Sequence, residues 1–497
     1  MKSTQYVLSI DQGTTGSTAM ILDDQARLVA KSNTEFQQYF PSSGWVEHDP
    51  LEILQSVTKS IEQVLSTSGI DPKSIAGLGI TNQRETVVAW DKKTGNPYHR
   101  AIVWQCRRTS RECQELRRQG LDAWMREKTG LTLDPYFSAS KMKWLMDHVP
   151  HISQASDEGR LCMGTIDSFL MFHLTGFESF RTDVSNASRT MLLNINTLEW
   201  DTELLELFGI SRQDLPELCE SVDRFGMTKS WDPLPDGIPI SGVAGDQQAA
   251  LFGQTCFEPG QSKCTYGTGA FALVNTGNQL IKSSQGLLTT VAWSIKGQRS
   301  YALEGSAFNA GSVIQWLRDG LKLISHSSEI EALARSVNDH GGVYLVPALT
   351  GLGAPHWNAQ ARGMLSGFDR STSRGHIARA ALEGIAFEVF ELFQAMQKDF
   401  GKLFRQCFVD GGASQNHLLM QFQSDLCGFK LVRPQMVETT VLGAAYLAGL
   451  GIGLWSSQQD LQALHEIECE FTPKMSPKER DQRLGAWSLA LRRCLMS

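Results

Sequence analysis

The sequence predicts an α/β protein built from two duplicated halves, each with a mixed β-sheet, set around an interdomain cleft. Two observations carry that prediction. The run Ser9-Ile10-Asp11-Gln12-Gly13-Thr14-Thr15-Gly16 has a near-echo at Cys264-Thr265-Tyr266-Gly267-Thr268-Gly269. Each is a β-like run, a Gly/Thr turn and a second β-like run, continuing as Ser17–Leu22 and Ala270–Val274. Behind each echo, strands and a helix follow in a similar order. A length of 497 residues leaves room for two domains with separate cores. A strand, a glycine-rich tip and a returning strand make a hairpin whose tip offers backbone N–H groups and threonine hydroxyls to an anion. Two such tips read as duplicated halves gripping a polyphosphate between them.

In chain order, Tyr6–Asp11, Ser17–Leu22 and Leu28–Ser32 read as three strands, with Asp23-Asp24 marking the second turn. Asp49 can cap the next helix, Pro50 suits its first position and Glu52 stands where a capping box wants it. Leu54, Val57, Ile61, Val64 and Leu65 follow at helical spacing. Leu78-Gly79-Ile80-Thr81 is a buried strand ending in Asn82-Gln83-Arg84-Glu85. In the second half, strands at Cys264–Tyr266, Phe271–Asn275 and Leu288–Ile295 precede a helix near Ser312–Leu323. Gln406–Val409 enters the turn Asp410-Gly411-Gly412-Ala413. A helix from Ser414 to Cys427 follows, with Gly428 as C-cap and Phe429–Val432 as a further strand. The boundary falls near Gly253, dividing the chain into 1–253 and 254–497. Nothing there reads as a flexible linker, so the halves are expected to share a hinged cleft.

Composition narrows the function classes. With 41% hydrophobic residues and no low-complexity tract, the chain is that of a folded globular protein. A formal charge of −7 without a dense basic block argues against nucleic acid as the main partner. It leaves an anionic ligand open, because backbone dipoles bind phosphate on acidic proteins too. Met1–Gln5 runs straight into a strand, no apolar run reaches the ~20 residues of a membrane span, and the ten cysteines form no C-x-x-C pair. These features point to the cytoplasm.

Several residues could carry chemistry. Asp11 closes the first strand before the first tip, either as a Mg²⁺ anchor acting through water or as a turn-initiating aspartate. Gly311 with Gln315, and Gly412 with Asn416, pair a glycine that allows close backbone approach with an amide one helical turn later. Either pair alone reads as helix-start packing; together they read as a purine-nucleotide pocket. Asp246 follows Gly242-x-x-Gly245, where it can serve as a general base toward a substrate hydroxyl or as a helix cap. Arg84-Glu85 offers donors and an acceptor suited to a small polyol, or forms a surface ion pair. Trp104, Tyr136 and Phe271 are candidates for an apolar wall, or ordinary core. No H-E-x-x-H, G-x-S-x-G or G-x-x-x-x-G-K-[ST] motif competes with this reading.

Taken together, these residues resemble the glycerol kinases of the FGGY carbohydrate kinase family, within the actin–hexokinase–chaperone ATPase superfamily. The resemblance spans nearly the whole chain. Its strings are Asp11-Gln12-Gly13-Thr14-Thr15, Gly44-Trp45-Val46-Glu47-His48-Asp49-Pro50 and Ile80-Thr81-Asn82-Gln83-Arg84-Glu85. Further on come Trp104-Gln105-Cys106-Arg107-Arg108-Thr109, Ala244-Gly245-Asp246-Gln247-Gln248-Ala249-Ala250 and Tyr266-Gly267-Thr268-Gly269. Tyr136–Trp144 and Gly363–Glu383 resemble the two family signatures. The resemblance implies two actin-like (ribonuclease H-like) domains and ATP-dependent, Mg²⁺-assisted phosphorylation of glycerol to sn-glycerol 3-phosphate. It implies that Arg84, Glu85, Tyr136, Asp246 and Gln247 hold glycerol, with Trp104 and Phe271 behind its carbons and Asp246 as base. By the same resemblance Thr14, Thr15, Gly16 and Thr268 cradle the phosphates. Gly311, Gln315, Gly412 and Asn416 frame the adenosine side, and Asp11 organises Mg²⁺. A homo-oligomer, dimer or tetramer, is expected.

The chain departs from the family pattern at the first loop, where Gly16 and Thr18 replace the usual Ser and Arg, removing a cation that would face the phosphates. The segment Ser230–Gly237 is acidic and proline-stiffened rather than Gly-rich and Arg-containing, which argues against inhibition by fructose 1,6-bisphosphate. The alternatives left open are a sister kinase for a ketose or pentitol, and a non-catalytic actin-like nucleotide-binding protein.

Overall fold

A computed structural model describes residues 5–358 and 360–496; Met1–Thr4, the start of the run expected to lead straight into a strand, lie outside the described residues. The chain forms two large mixed sheets. The N-terminal one runs Val222–Met227, Pro239–Gly245, Ile75–Asn82, Tyr6–Gln12, Gly16–Leu22, Leu28–Glu35. The C-terminal one runs Leu288–Ile295, Gln298–Ala307, Ala270–Gly277, Ser262–Tyr266, Gln406–Asp410, Lys430–Pro434, Ile467–Phe471. In each, the first strand pairs antiparallel with the second across a Gly/Thr tip and parallel with a later strand. A second parallel strand follows outside it. The duplication expected from the two tips is thus repeated in the order of the strands.

Local chemistry explains the well-placed elements. Asp49 accepts the N–H of Leu51 at 2.9 Å and opens the helix Pro50–Ser68, which ends at Gly69 in the left-handed conformation. Its residues Val57, Ile61 and Val64 are fully buried against the N-terminal sheet. Glu52 does not complete a capping box: its carboxylate accepts the Tyr39 hydroxyl at 2.7 Å, drawn aside by a partner distant in sequence.

The second half corrects three expectations. After Leu288–Ile295 the chain turns through Gly297 and runs back as a ten-residue strand, Gln298–Ala307, that the sequence reading passed over. The helix expected near Ser312–Leu323 spans Gly311–Asp319. The helix expected from Ser414 begins at His417, after a tight turn at Gly412–Gln415. Asn416 is the N-cap of that helix, its side chain accepting the N–H of Leu419 at 2.9 Å, so it does not stand one helical turn beyond Gly412.

Two helices join the halves. Asp246–Gly253 follows the last parallel strand of the first sheet, and Thr439–Gly451 follows its counterpart in the second. They cross so closely that a Cβ on Gly443 would lie 1.8 Å from the carbonyl oxygen of Ala249. One on Gly253 would lie 2.1 Å from that of Thr439. Thr439–Gly451 also lies on the N-terminal sheet, where a Cβ on Gly79 would meet the Ala444 oxygen at 2.2 Å. Val7, Met20, Leu251, Leu273, Ala445 and Leu447 share one buried cluster there, so the junction is apolar core rather than linker. No helix among the described residues is long and apolar enough to cross a membrane.

Candidate functional site

Three parallel strands set the geometry. Tyr6–Gln12, Ile75–Asn82 and Pro239–Gly245 lie side by side, with Asp11 level with Thr81 and Thr81 level with Ala244. Their carboxyl ends therefore deliver Asp11, Arg84-Glu85 and Asp246 to one edge of the sheet, the usual place for a ligand in an open α/β fold. Short-range pattern located each residue; the register brings them together.

Arg84 and Glu85 are not a surface ion pair. Both are buried, at 2% and 1% exposure, and their closest charged atoms are 3.8 Å apart. Each finds a better partner elsewhere. Arg84 makes a two-pronged contact with Glu304 (Nη1 to Oε2 2.6 Å, Nη2 to Oε1 2.8 Å). Its Nη1 also donates to Gln248 Oε1 at 3.1 Å. Its Nε lies 3.0 Å from Asp246 Oδ1. Glu85 accepts from Arg189 Nε at 2.7 Å, and Arg189 Nη2 reaches Glu304 Oε1 at 3.1 Å. Glu85 has φ of 62°, an unusual backbone state for a non-glycine residue, held by Ser138 Oγ donating to its carbonyl at 3.1 Å. Burial pushes the Glu85 carboxyl up, against the pull of Arg84 and Arg189. Burial is also the largest influence on Glu304 and opposes its ionisation, but Arg189 and Arg84 outweigh it and leave the group at about 2.

Around this network the aromatic candidates converge. The rings of Trp104 and Tyr136 meet edge to face at 5.6 Å, and the Tyr136 hydroxyl lies 3.4 Å from Arg84 Nη2. Trp104 Nε1 donates to Thr14 Oγ1 at 3.0 Å, tying the aromatic wall to the first tip. Phe271, half-buried, is paired with Ser306, and its neighbour Leu273 with Glu304. Gln247 accepts from the buried ammonium of Lys263. Asp246, the first residue of its helix, keeps a partly exposed side chain.

Asp11 stands apart electrostatically. Burial, then the charges of Asp246 and Glu438, push its carboxyl to about 8. A carboxyl so placed gains from a cation, and the two acids whose charges raise it, Asp246 and Glu438, offer oxygen, as Mg²⁺ prefers. Among the described residues no group of three or more His, Cys, Asp and Glu could hold a metal by itself.

The two tips are differently braced. In the first, Gly13 N–H bonds Gly16 O at 2.9 Å, and Thr15 is exposed. The second rests on the start of helix Gly311–Asp319: Gly311 N–H donates to Gly267 O at 2.9 Å, and Ala310 and Ser312 N–H to Thr268 O. A Cβ on Gly311 would lie 2.6 Å from Gly267 O, and one on Gly411 2.6 Å from Tyr266 O, so both bends close on the tip as glycine allows. Thr268, Gln315 and Gly412 are exposed around it, while Asn416 keeps a buried Nδ2 without a hydrogen-bond partner. A surface pocket of 690 Å³ lined by Glu199, Trp200, Leu205 and Arg212 shares none of these residues.

The model of the N-terminal domain of FGGY carbohydrate kinases matches residues 6–253, and that of the C-terminal domain matches 262–452. The chain belongs to the FGGY family of carbohydrate kinases. It is 51% identical over 494 residues to a glycerol kinase of Bdellovibrio bacteriovorus, covering 99% of this chain and all of that one. It is 50% identical over 491 residues to glycerol kinase 2 of Thermotoga maritima, covering 99% of each. Among solved structures it resembles Plasmodium falciparum glycerol kinase with ADP (TM-score 0.92, 38% identity, 99% of each chain). It also shares the fold of a Lactobacillus acidophilus xylulose kinase (TM-score 0.87, 22% identity, 99% of each chain).

In this FGGY kinase, the residues that sequence reasoning missed are Glu304, Arg189, Gln248, Lys263 and Glu438. One signal was available: Glu304 interrupts the apolar run Tyr301-Ala302-Leu303, and an acid inside a buried strand needs a cationic partner. Arg189, over a hundred residues from Glu304, carries no local mark.

Proposed function

We propose that this FGGY kinase transfers the γ-phosphoryl group of ATP to a terminal hydroxyl of glycerol, giving sn-glycerol 3-phosphate, with Asp246 as general base. The observation that carries this reading is the convergence of Asp11, Arg84, Glu85 and Asp246 at one sheet edge, beside the Trp104–Tyr136 wall. Full-length relatives bearing the name glycerol kinase support the substrate.

In this reading the polyol lies against Trp104, Tyr136 and Phe271. Its hydroxyls are held by Arg84, Glu85, Gln247 and Asp246. The partly exposed Asp246 carboxylate takes the proton of the attacking hydroxyl as the oxygen approaches phosphorus. Thr14, Thr15 and Gly16 meet the phosphates from one half and Thr268 from the other. Gly311, Gln315, Gly412 and the orphan amide of Asn416 face the adenosine. Mg²⁺, when bound, would neutralise phosphate charge, held near Asp11 largely through water. Closing the halves, which we divide at Gly253 into 1–253 and 254–497, excludes water that would otherwise accept the phosphoryl group. A reducing, cytoplasmic setting belongs to the same proposal and is supported by ten cysteines scattered along the sequence without a C-x-x-C pair.

Asp246→Asn tests the mechanism. It is expected to lower kcat by ~10²–10⁴ while ADP still binds; near-normal turnover by folded protein would remove Asp246 from that role. A coupled ADP-release assay with glycerol, dihydroxyacetone and xylulose tests the substrate, and preference for xylulose would overturn it.

A further inference from the structure

We propose that Glu304, working with Arg189, is a positioning residue for polyol recognition, orienting Arg84 from the opposite half of the molecule. The inference rests on the kinase reading above. Arg84 has its two terminal nitrogens occupied by the Glu304 carboxylate at 2.6 and 2.8 Å, and Gln248 takes a further contact at 3.1 Å. A fork-to-fork contact of that kind fixes the guanidinium plane as well as its position. The remaining Nε lies 3.0 Å from Asp246 Oδ1, an ion-pair contact. Arg189 closes the arrangement, binding Glu304 with one nitrogen and Glu85 with another. The two residues assigned to glycerol, Arg84 and Glu85, are therefore held by the same pair.

The location of Glu304 gives the contact its meaning. It lies on Gln298–Ala307 in the C-terminal sheet, whereas Arg84 and Glu85 follow a strand of the N-terminal sheet. Thr290, on the neighbouring C-terminal strand, accepts from Gln248 at 3.1 Å and meets Ser188 Oγ at 2.9 Å, pinning the same junction from the side. Arg84, Glu85, Arg189 and Glu304 are all at most 2% exposed and balance as two cations and two anions. A buried ionic cluster gains little stability over well-packed apolar side chains. Next to a substrate-binding arginine it supplies orientation, which a polyol site with few contacts requires. Asp246, the third anion, stays partly exposed and available to the substrate.

The test uses the full-length protein: wild type, Glu304→Gln, Glu304→Asp and Arg189→Lys, assayed for the KM of glycerol, the KM of ATP, kcat and ADP binding by calorimetry. Glu304→Gln keeps the shape and removes the charge, and is expected to raise the KM for glycerol about 10- to 100-fold with ADP binding unchanged. Glu304→Asp keeps the charge and is expected to recover part of the loss. A merely structural role would instead weaken ADP binding and glycerol binding together. An unchanged KM for glycerol in Glu304→Gln that still binds ADP would overturn the proposal. If that variant fails to fold, Arg189→Lys decides by the same criterion. Wild-type protein that leaves glycerol unphosphorylated would refute the underlying kinase reading, a failure visible without any variant.

Discussion

Replacing Gly443 by alanine puts the junction between the halves under direct test. The added Cβ would lie 1.8 Å from the carbonyl oxygen of Ala249 and 3.0 Å from the amide nitrogen of Gly253. Both obstacles are backbone, so no side chain can rotate away, and real Cβ atoms essentially never approach closer than 3.0 Å. The two helices must separate by roughly 1 Å, and a displacement of that size can cost ~10²-fold in rate when it reaches reacting groups. It does reach them here, because the displaced helix Asp246–Gly253 begins with the proposed base. Overpacking of this kind also costs about 1–3 kcal/mol of stability, or more when backbone is the obstacle. The assay is kcat at saturating glycerol and ATP, with melting temperature by calorimetry. Gly485→Ala serves as the control: it lies inside the helix Pro477–Met496, nothing would stand within 4 Å of its Cβ, and it should be neutral or slightly stabilising. Wild-type kcat and melting temperature in Gly443→Ala would refute the claim that this crossing sets the position of Asp246.

Thr18 lies directly across the hairpin from Asp11, its hydroxyl accepting from Asn33 at 3.0 Å; Thr18→Arg restores a cation at the first tip and should tighten ADP binding about tenfold, whereas unchanged or weaker affinity by calorimetry would exclude that role. Asp167 is buried between the hydroxyls of Thr165 and Thr182, and burial lifts its carboxyl from 3.8 to about 6. Its folded-state pKa is raised, so the cost of keeping it ionised is fully present above about pH 6 and is relieved as pH falls toward 4. Asp167→Asn should therefore stabilise the protein at pH 8 by about 2 kcal/mol and much less at pH 4 in urea unfolding; equal destabilisation at both would contradict this. Lys141 is buried and donates to the carbonyls of Pro135, Tyr136 and Phe137 at 3.0, 2.6 and 2.8 Å. Lys141→Met should loosen the turn that carries Tyr136 and raise the KM for glycerol with little change in that for ATP; a KM for glycerol equal to wild type would remove Lys141 from that role.

What the sequence made legible is what short-range chemistry encodes. The helix start at Asp49-Pro50, the left-handed C-cap at Gly428 and the two hairpins are each written within a few neighbouring residues. The strand Gln298–Ala307 was not read, because the preceding apolar run looked complete and a ten-residue return strand buried at its far end shows no alternation of polar and apolar residues. Asn416 was misplaced for a related reason: Gly412 and Asn416 have helical spacing, but the side chain of Asn416 competes for a backbone N–H and starts the helix instead. For Arg84-Glu85 the sequence leaves a surface ion pair open beside the polyol reading, because the partners that bury it, Glu304 and Arg189, lie far away along the chain.

The duplication also accounts for the charge around Asp11. In each half the helix after the last parallel strand of the repeat opens with an acid, Asp246 at the first residue of one and Glu438 at the N-cap of the other. The charges of both raise the Asp11 carboxyl. A helix N-terminus carries partial positive charge and exposed N–H groups, which suit a phosphate chain lying between them. The acids differ in partner. Asp246 meets Arg84 and remains partly exposed, while Glu438 is paired with Lys31 across the junction of the halves. The two helix starts thus differ in use: one carries the proposed base, the other a tie between the lobes. The asymmetry follows from which neighbour each acid found: a buried arginine fixed by Glu304 on one side, a half-exposed lysine on the other.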